Sequence, residues 1–363
     1  MLKSISLQNF RSYKKQEFSF EKTTLIVGPN TSGKTNLIEA VNLLSTGKSF
    51  RTDKDPQMIG FGDDFARVVG KFDDFSAGSG QTLSLEVILT NGQYMGVKSQ
   101  YKKFTVNGVP RRRVDFASNF PAVLFSPQDL EIIIESPSLR RNFLDEVLET
   151  VDRDYRIAVI SYQKALRQRN ALLEKTREEG RRLGKPLAQR DKDFEYWDKL
   201  VIENGQLITQ KRAEFIEYFN NLEKNIFDCL IKYDESVISK ERLIQYEEEE
   251  VMAGVTLVGP HRDDFSVLMF NSSRSNTHDV KFYGSRGQQR LAILQLKIAQ
   301  IKFVEGILSK TPVFIMDDIF SELDEGHINL ILEQIDKQQT ILTTTHEEFV
   351  PKKMLKSMKI ISF

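Results

Sequence analysis

The chain has 363 residues, long for a single core, so two domains are the starting expectation. Its 51 basic and 51 acidic residues cancel, which excludes a generally polyanion-binding surface and leaves only local patches for such a partner. A lone Cys229 excludes an internal disulfide, four scattered histidines make no zinc site with it, and no apolar run approaches the roughly 20 residues of a membrane span.

The opening MLKSISLQNF alternates like a strand and has no signal-peptide apolar core, so a cytoplasmic protein with no membrane partner is expected. Ser4, Ser6 and Gln8 alternate with Ile5 and Leu7, and Phe18 and Phe20 flank Ser19. Thr23 to Val27 is an apolar, β-rich run that predicts a buried strand. It feeds GPNTSGKT, Gly28 to Thr35, which fits the phosphate-loop pattern G-x-x-x-x-G-K-[ST]. Leu37, Ile38, Val41 and Leu44 then recur at helical spacing until Gly47, a helix stop. Strand, glycine loop and helix together predict a nucleotide site. The loop amides and the positive helix end offset phosphate repulsion. Gly28, Pro29, Asn30, Thr31, Ser32, Gly33, Lys34, Thr35 and the next residue, Asn36, are the expected ATP contacts. Lys34 would reach the β- and γ-phosphates, and the Thr35 hydroxyl would sit on Mg²⁺.

Alternating segments follow at Ala66 to Phe72, Leu83 to Leu89 and Ser99 to Val106, with turn dipeptides Asn91-Gly92 and Asn107-Gly108. They predict an antiparallel meander beside the nucleotide unit, with a loop at Ser76 to Gly80. After a short strand, Pro121 to Phe125, Ser136-Pro137 looks like a helix start. Leu139 through Leu173 keep helical spacing, Gly180, Gly184 and Pro186 break it, and Phe194 to Leu222 form a second series. Two antiparallel helices thus predict an all-helical insert over residues 116–245, dividing a head made of 1–115 and 246–363. Arg181, Arg182, Lys185 and Arg190 at its tip make either a solvated turn or a polyanion contact, and Glu247 to Glu250 read as a linker. In the last third, Pro312 to Met316 predict a buried strand ending in Asp317-Asp318, and Ile341 to Thr344 another, ending near His346. An acid at a strand end is the expected second half of a phosphate-loop site. Asp317 would hold Mg²⁺ with Thr35, and Asp318 would orient and deprotonate the attacking water.

GPNTSGKT, SRGQQ, FIMDD, SELD and a strand-end histidine, in that order, resemble the ABC-type ATPase head shared by SMC proteins and their relatives. NFRSY, GKSFRT, FSPQDL, SPSLRRNFLD, LRQRNALL and GPHRDD, spread over nearly the whole chain, narrow the resemblance to the RecF family of bacterial DNA repair proteins. The fold implied is α/β, a mixed sheet around the phosphate loop with an antiparallel meander and an inserted helical lid. The resemblance implies that Ser285, Gly287 and Gln288 contact the γ-phosphate bound to a second copy, so that two ATP molecules join a homodimer. It implies a Q-loop role on Mg²⁺ or water for Gln128, a γ-phosphate switch for His346, and places for Arg11 and Ser12 near the α-phosphate or adenosine. Asp324 would cross the dimer interface. Double-stranded or gapped DNA, RecR, RecO and RecA are the implied partners. Arg286 replaces a common glycine; it either adds charge opposite the γ-phosphate or faces outward. Asp318 stands where most ABC ATPases have glutamate. One methylene less sets the base back by about 1.5 Å, so slow, switch-like hydrolysis is expected.

Lys48, Arg51, Lys102, Lys103, Arg111, Arg112 and Arg113 are the expected DNA contacts, with the triple arginine alternatively a solvated loop. A transporter ATPase and a chromosome-tethering SMC-like ATPase are the rival readings. Phosphate loop and signature are far apart for the first. For the second, helices of about 40 residues reach only about 60 Å.

Overall fold

The computed structural model describes residues 1–73, 82–94, 96–183, 192–270, 276–319, 337–350 and 355–363. The chain divides into two compact units, one from Met1–Leu130 with Ile293–Phe363, the other Glu131–Ala292.

In the first unit β1 (Leu2–Phe10) and β2 (Tyr13–Ser19) form a hairpin, and β3 (Thr23–Val27) leads into α1 (Lys34–Thr46). There follow β4 (Phe65–Asp73), β5 (Thr82–Thr90), a small hairpin of β6 (Gln93–Tyr94) and β7 (Val97–Lys98), β8 (Lys102–Val106), β9 (Val109–Arg111), the short α2 (Arg113–Phe116) and β10 (Ala122–Phe125). The second unit contains α3 (Glu131–Ile134), α4 (Pro137–Val151), α5 (Arg153–Leu183), α6 (Lys192–Asn221), β11 (Cys229–Asp234), α7 (Lys240–Gln245), α8 (Glu247–Ala253), β12 (Asp264–Phe270), β13 (Thr277–Asp279) and α9 (Val280–Tyr283). The long α10 (Arg286–Leu308) starts in it and continues into the first unit, which ends with β14 (Val313–Met316), β15 (Thr340–Thr344) and β16 (Lys359–Ser362).

Besides the small β6-β7 hairpin, two large sheets build the first unit. The antiparallel meander has the order β2-β1-β4-β5-β8-β9, and the parallel sheet β10-β14-β15-β3-β16. In the meander one face is apolar: Ala66, Val68 and Phe72 on β4 and Leu85, Val87 and Leu89 on β5 are buried. The parallel strands read as continuous apolar runs because both faces are covered; β10, β14 and β15 are buried at every position. Leu37, Ile38, Val41 and Leu44 of α1 join the residues of both sheets in one core cluster. Gly47 stops the helix as the spacing predicts, in the left-handed conformation with its N–H on the Leu43 carbonyl at 2.9 Å. Asn107 and Gly108 both take positive φ, 50° and 78°, as a two-residue hairpin turn requires.

The second unit departs from the expected insert in three ways. The single helical run predicted from Leu139 to Leu173 is two helices. Asp152 breaks it, because its Oδ1 accepts from the N–H of Asp154 and Tyr155 at 2.8 and 3.0 Å and so starts α5 afresh. Glu247 to Glu250 are no linker but the first turn of α8, where acids suit the helix dipole. And the unit is not all helical: a β11-β12-β13 sheet belongs to it, which carries the unit on to Ala292, well past residue 245.

A chain of buried and half-buried ion pairs explains that extension. Arg212 meets Asp145 at 2.8 Å and Asp263 at 3.0 Å, Arg140 meets Asp264 at 2.6 Å, and Arg169 meets Asp198 at 2.7 Å and Glu250 at 2.6 Å. Tyr155 and Tyr233 donate to Asp145 and Asp263, and Tyr162 lies 2.7 Å from His261 Nδ1. The family-narrowing segments SPSLRRNFLD, LRQRNALL and GPHRDD therefore meet in one polar core, where charges are buried together with their partners. Cys229 is buried on β11, and burial pushes its thiol up to about 12.

Candidate nucleotide site

The site is organised by the carboxyl ends of parallel strands, the usual ligand position of such sheets. Val27 is level with Thr344, Leu342 with Met316, and Met316 with Phe125. The phosphate loop, His346, Asp317 and the turn carrying Gln128 consequently leave one edge of one sheet.

The phosphate loop is shaped for a ligand. Thr31 and Gly33 take φ of 73° and 111°. A side chain at Gly28 would meet Ser32 Oγ at 2.9 Å and Phe363 Cβ at 2.8 Å, so only glycine leaves the cradle open. Lys34 is buried and curls back onto the Gly28 and Pro29 carbonyls at 2.6 and 3.0 Å. Ser32 Oγ is buried with no hydrogen-bond partner, and no side chain caps the start of α1, whose first turn holds no acid. These open donors fit a polyphosphate. Tyr13 donates to the Gly33 carbonyl at 3.0 Å, and its burial raises the phenol's pKa, which keeps it a neutral donor.

Asp317 is buried and accepts from Thr343 Oγ1 at 2.6 Å; the same hydroxyl accepts from the Asp318 N–H at 2.9 Å. One β15 side chain thus fixes the Asp317 carboxylate and the backbone of Asp318. Asp318 takes φ of 53°, left-handed for a non-glycine residue, a conformation that functional sites tolerate at a cost. Thr35 is half-buried in the first turn of α1, while Gln128 and His346 are exposed. A hydroxyl, a carboxylate and an amide are hard oxygen donors that fit Mg²⁺ alongside phosphates. Among the described residues no group of three His, Cys, Asp or Glu forms a metal site by itself.

Arg11, with φ of 51°, grips Glu39 through Nε and Nη2 at 2.8 and 2.6 Å and donates to the Gln57 carbonyl at 2.6 Å. Asn36 donates to Ser12 Oγ at 2.9 Å and accepts from Arg51 at 2.8 Å. Arg11, Ser12 and Asn36 border a cavity of about 780 Å³ whose rim includes the fully exposed Phe61. Its size suits a nucleoside. The fully buried Glu39, which holds Arg11, Ser49 and Arg51 together, was invisible to motif reasoning because it sits inside an ordinary amphipathic helix.

In the second unit Ser285 and Gln288 cap the start of α10 reciprocally: the Ser285 N–H donates to Gln288 Oε1 at 2.8 Å, and the Gln288 N–H to Ser285 Oγ at 3.3 Å. Arg286 is exposed, and a side chain at Gly287 would meet only Ser285 Oγ, at 3.9 Å. Within the first unit, Lys297 further along α10 is buried against Asp129 at 2.8 Å, and Asp129 also accepts from the Ser126 N–H at 2.6 Å. Sequence reasoning missed that pair too. Asp324 and the rest of SELD, and Lys185 and Arg190, lie outside the described residues.

Residues 1–362 match the family model described as RecF/RecN/SMC N terminal domain. The DNA replication and repair protein RecF of Lachnospira eligens is 33% identical, over 98% of this chain and 95% of that one. That of Bacillus thuringiensis strain Al Hakam is 32% identical, over 99% and 96%. The chain belongs to the RecF family. Solved structures of the recombination mediator protein RecF of the RecFOR pathway agree: the RecF-ATP form has a TM-score of 0.83 at 31% identity over 96% of this chain and 93% of that one. A Pyrococcus furiosus Smc head, with a TM-score of 0.53 at 18% identity over 99% and 92%, shares the fold. The ABC-type ATPase head expected from the motifs is thereby the fold observed.

The seven cations expected to meet DNA in this RecF-family chain do not share one surface. Lys48, Lys103, Arg111 and Arg112 are exposed. Lys102 turns inward, paired with Asp55 and donating to the Gly47 carbonyl at 3.0 Å, and its burial lowers the ammonium's pKa. Arg113 reaches the Thr46 carbonyl at 3.4 Å, and Arg51 lies against Asn36. Lys102 and Arg113 therefore spend donors inside the head, whereas Arg51 is exposed and pairs with Asn36 and Glu39 beside the nucleotide site. No helix among the described residues is long and apolar enough to cross a membrane.

Proposed function

We propose that this chain is a cytoplasmic, ATP-dependent DNA-binding protein of recombinational repair, a slow ATPase whose two copies close around two ATP and hold duplex DNA. The observation that carries the reading is the row of adjacent parallel strand ends, which gathers an open phosphate loop, a buried carboxylate and its neighbour Asp318 at one edge. Lys34 would leave the loop carbonyls for the β- and γ-phosphates. The amides of the α1 first turn would take the remaining phosphate oxygens. Thr35 and Asp317, with Gln128, would hold Mg²⁺, which neutralises phosphate charge when bound. Asp318 would orient the attacking water, and His346 would report on the γ-phosphate. Ser285 and Gly287 would complete the site of the second copy, the start of α10 turning its dipole to that phosphate. In that setting the chain would help RecO and RecR load RecA at single-stranded gaps, as the family resemblance implies.

Sedimentation with Mg·ATP or a non-hydrolysable analogue, with and without duplex DNA, tests this. The wild type should dimerise on nucleotide, and Ser285→Arg should stay monomeric while still binding ATP. A Ser285→Arg chain that dimerises normally rejects the sandwich. Turnover of many per second with DNA rejects the slow switch.

A further inference from the structure

The cations around the carboxyl end of α1 divide into struts and a ridge. Helix C-termini leave unsatisfied carbonyls and partial negative charge. Lys102 and Arg113 answer those of Gly47 and Thr46, at 3.0 and 3.4 Å. The stem of Arg113 lies over Gly47 so closely that a side chain there would meet its Cγ at 2.9 Å. Phe104 closes the same spot at 3.1 Å. Arg111 is the register partner of Phe104, and directly opposed residues of an antiparallel pair share a face. Arg111 therefore leaves the sheet on the Gly47 side. Lys103, one residue from Phe104 and opposite Ile88, leaves on the other. Arg112 follows, with its side chain 78% exposed and only a surface pairing to Asp115 at 3.4 Å. Lys48 is exposed just past Gly47, and its charge is among those acting on Lys102.

We propose that Lys48, Arg111 and Arg112 form a ridge that binds the phosphates of duplex DNA at the carboxyl end of α1, seated by Lys102 and Arg113, and that Lys103 is not part of it. The inference rests on the DNA reading above and assigns its contact surface. Three long cations, Lys48 just past α1 and Arg111 and Arg112 at the end of β9, offer separate points of contact, as a backbone with a charge every ~1.7 Å demands. The ridge sits about 20 Å from the phosphate loop, at the other end of the same 13-residue helix.

Fluorescence anisotropy of a labelled duplex of mixed sequence, titrated with the full chain and a non-hydrolysable ATP analogue across a salt series, tests it. Lys48→Glu/Arg111→Glu/Arg112→Glu should weaken binding at least about thirtyfold and flatten the log–log salt slope by about 2 to 3. Lys103→Glu should stay within about threefold of wild type, and all variants should bind fluorescent ATP as wild type does. The milder Arg111→Gln should lower the slope by about 1. A triple variant with wild-type slope, an unchanged slope for Arg111→Gln, or a Lys103→Glu loss as large as the triple variant's overturns the ridge. Absence of any salt-dependent binding by the wild type, with ATP binding intact, rejects the DNA reading itself and the ridge with it.

Discussion

The starts of α1 and α10 are both candidate phosphate binders, and they are built oppositely. The first has no capping side chain and a buried Ser32 hydroxyl lacking a partner; the second closes on itself through Ser285 and Gln288. The same contrast runs through the two units. Around the phosphate loop, donors are left over. In the polar core of the second unit Arg140, Arg169 and Arg212 are each met by carboxylates. Leftover donors mark a place prepared for a ligand, whereas saturated ones hold elements together. On this reading α10 must surrender a cap before it can accept a phosphate, and α1 need not.

The largest effect should come from the saturated side. Arg212→Ala leaves the fully buried Asp263 and the half-buried Asp145 without their cation and should cost about 3–5 kcal/mol in urea unfolding, with ATP affinity unchanged. A loss below about 1 kcal/mol would remove the distinction.

Acid should act on the same core. Burial holds the His261 imidazole down at about 4, below its ordinary 6.5. As pH falls through 6.5 the unfolded chain takes the proton first, so stability declines down to about 4, by up to about 3 kcal/mol, and no further on this account. His261→Gln should flatten that stretch of the pH–stability curve relative to wild type.

On the open side, Lys34→Ala should reduce ATP affinity at least about a hundredfold, about 2.7 kcal/mol, with the unfolding midpoint little changed. Gln288→Ala should have the smallest effect. It frees the Ser285 N–H, and hydrogen exchange there should quicken about fivefold, corresponding to about 1 kcal/mol of capping. Exchange at the wild-type rate would mean that the cap is not closed in solution.

The phosphate loop, its strand and the Gly47 stop were legible because local chemistry dictates them: a buried run, a glycine pattern and a left-handed terminus. Asp317 was legible for the same reason, as an acid at the end of an apolar strand. The break at Asp152 was not, since apolar spacing continues across it and only the side chain's bonds to Asp154 and Tyr155 end the helix. Nor was the extent of the second unit. Asp263 and Asp264 find Arg212 and Arg140 across long stretches of chain, and single-sequence periodicity carries no record of such pairs. The basic residues show the limit most plainly. Lys102 and Lys103 are neighbours in sequence, yet strand alternation sends one to a helix end and the other to water.

Cys229 bears on how these questions can be put to the protein. A thiol buried on β11 and protonated up to about pH 12 offers almost no thiolate to maleimides or oxidants. Reporter dyes attached through an engineered surface cysteine would therefore mark one chosen spot, with the native residue left in place.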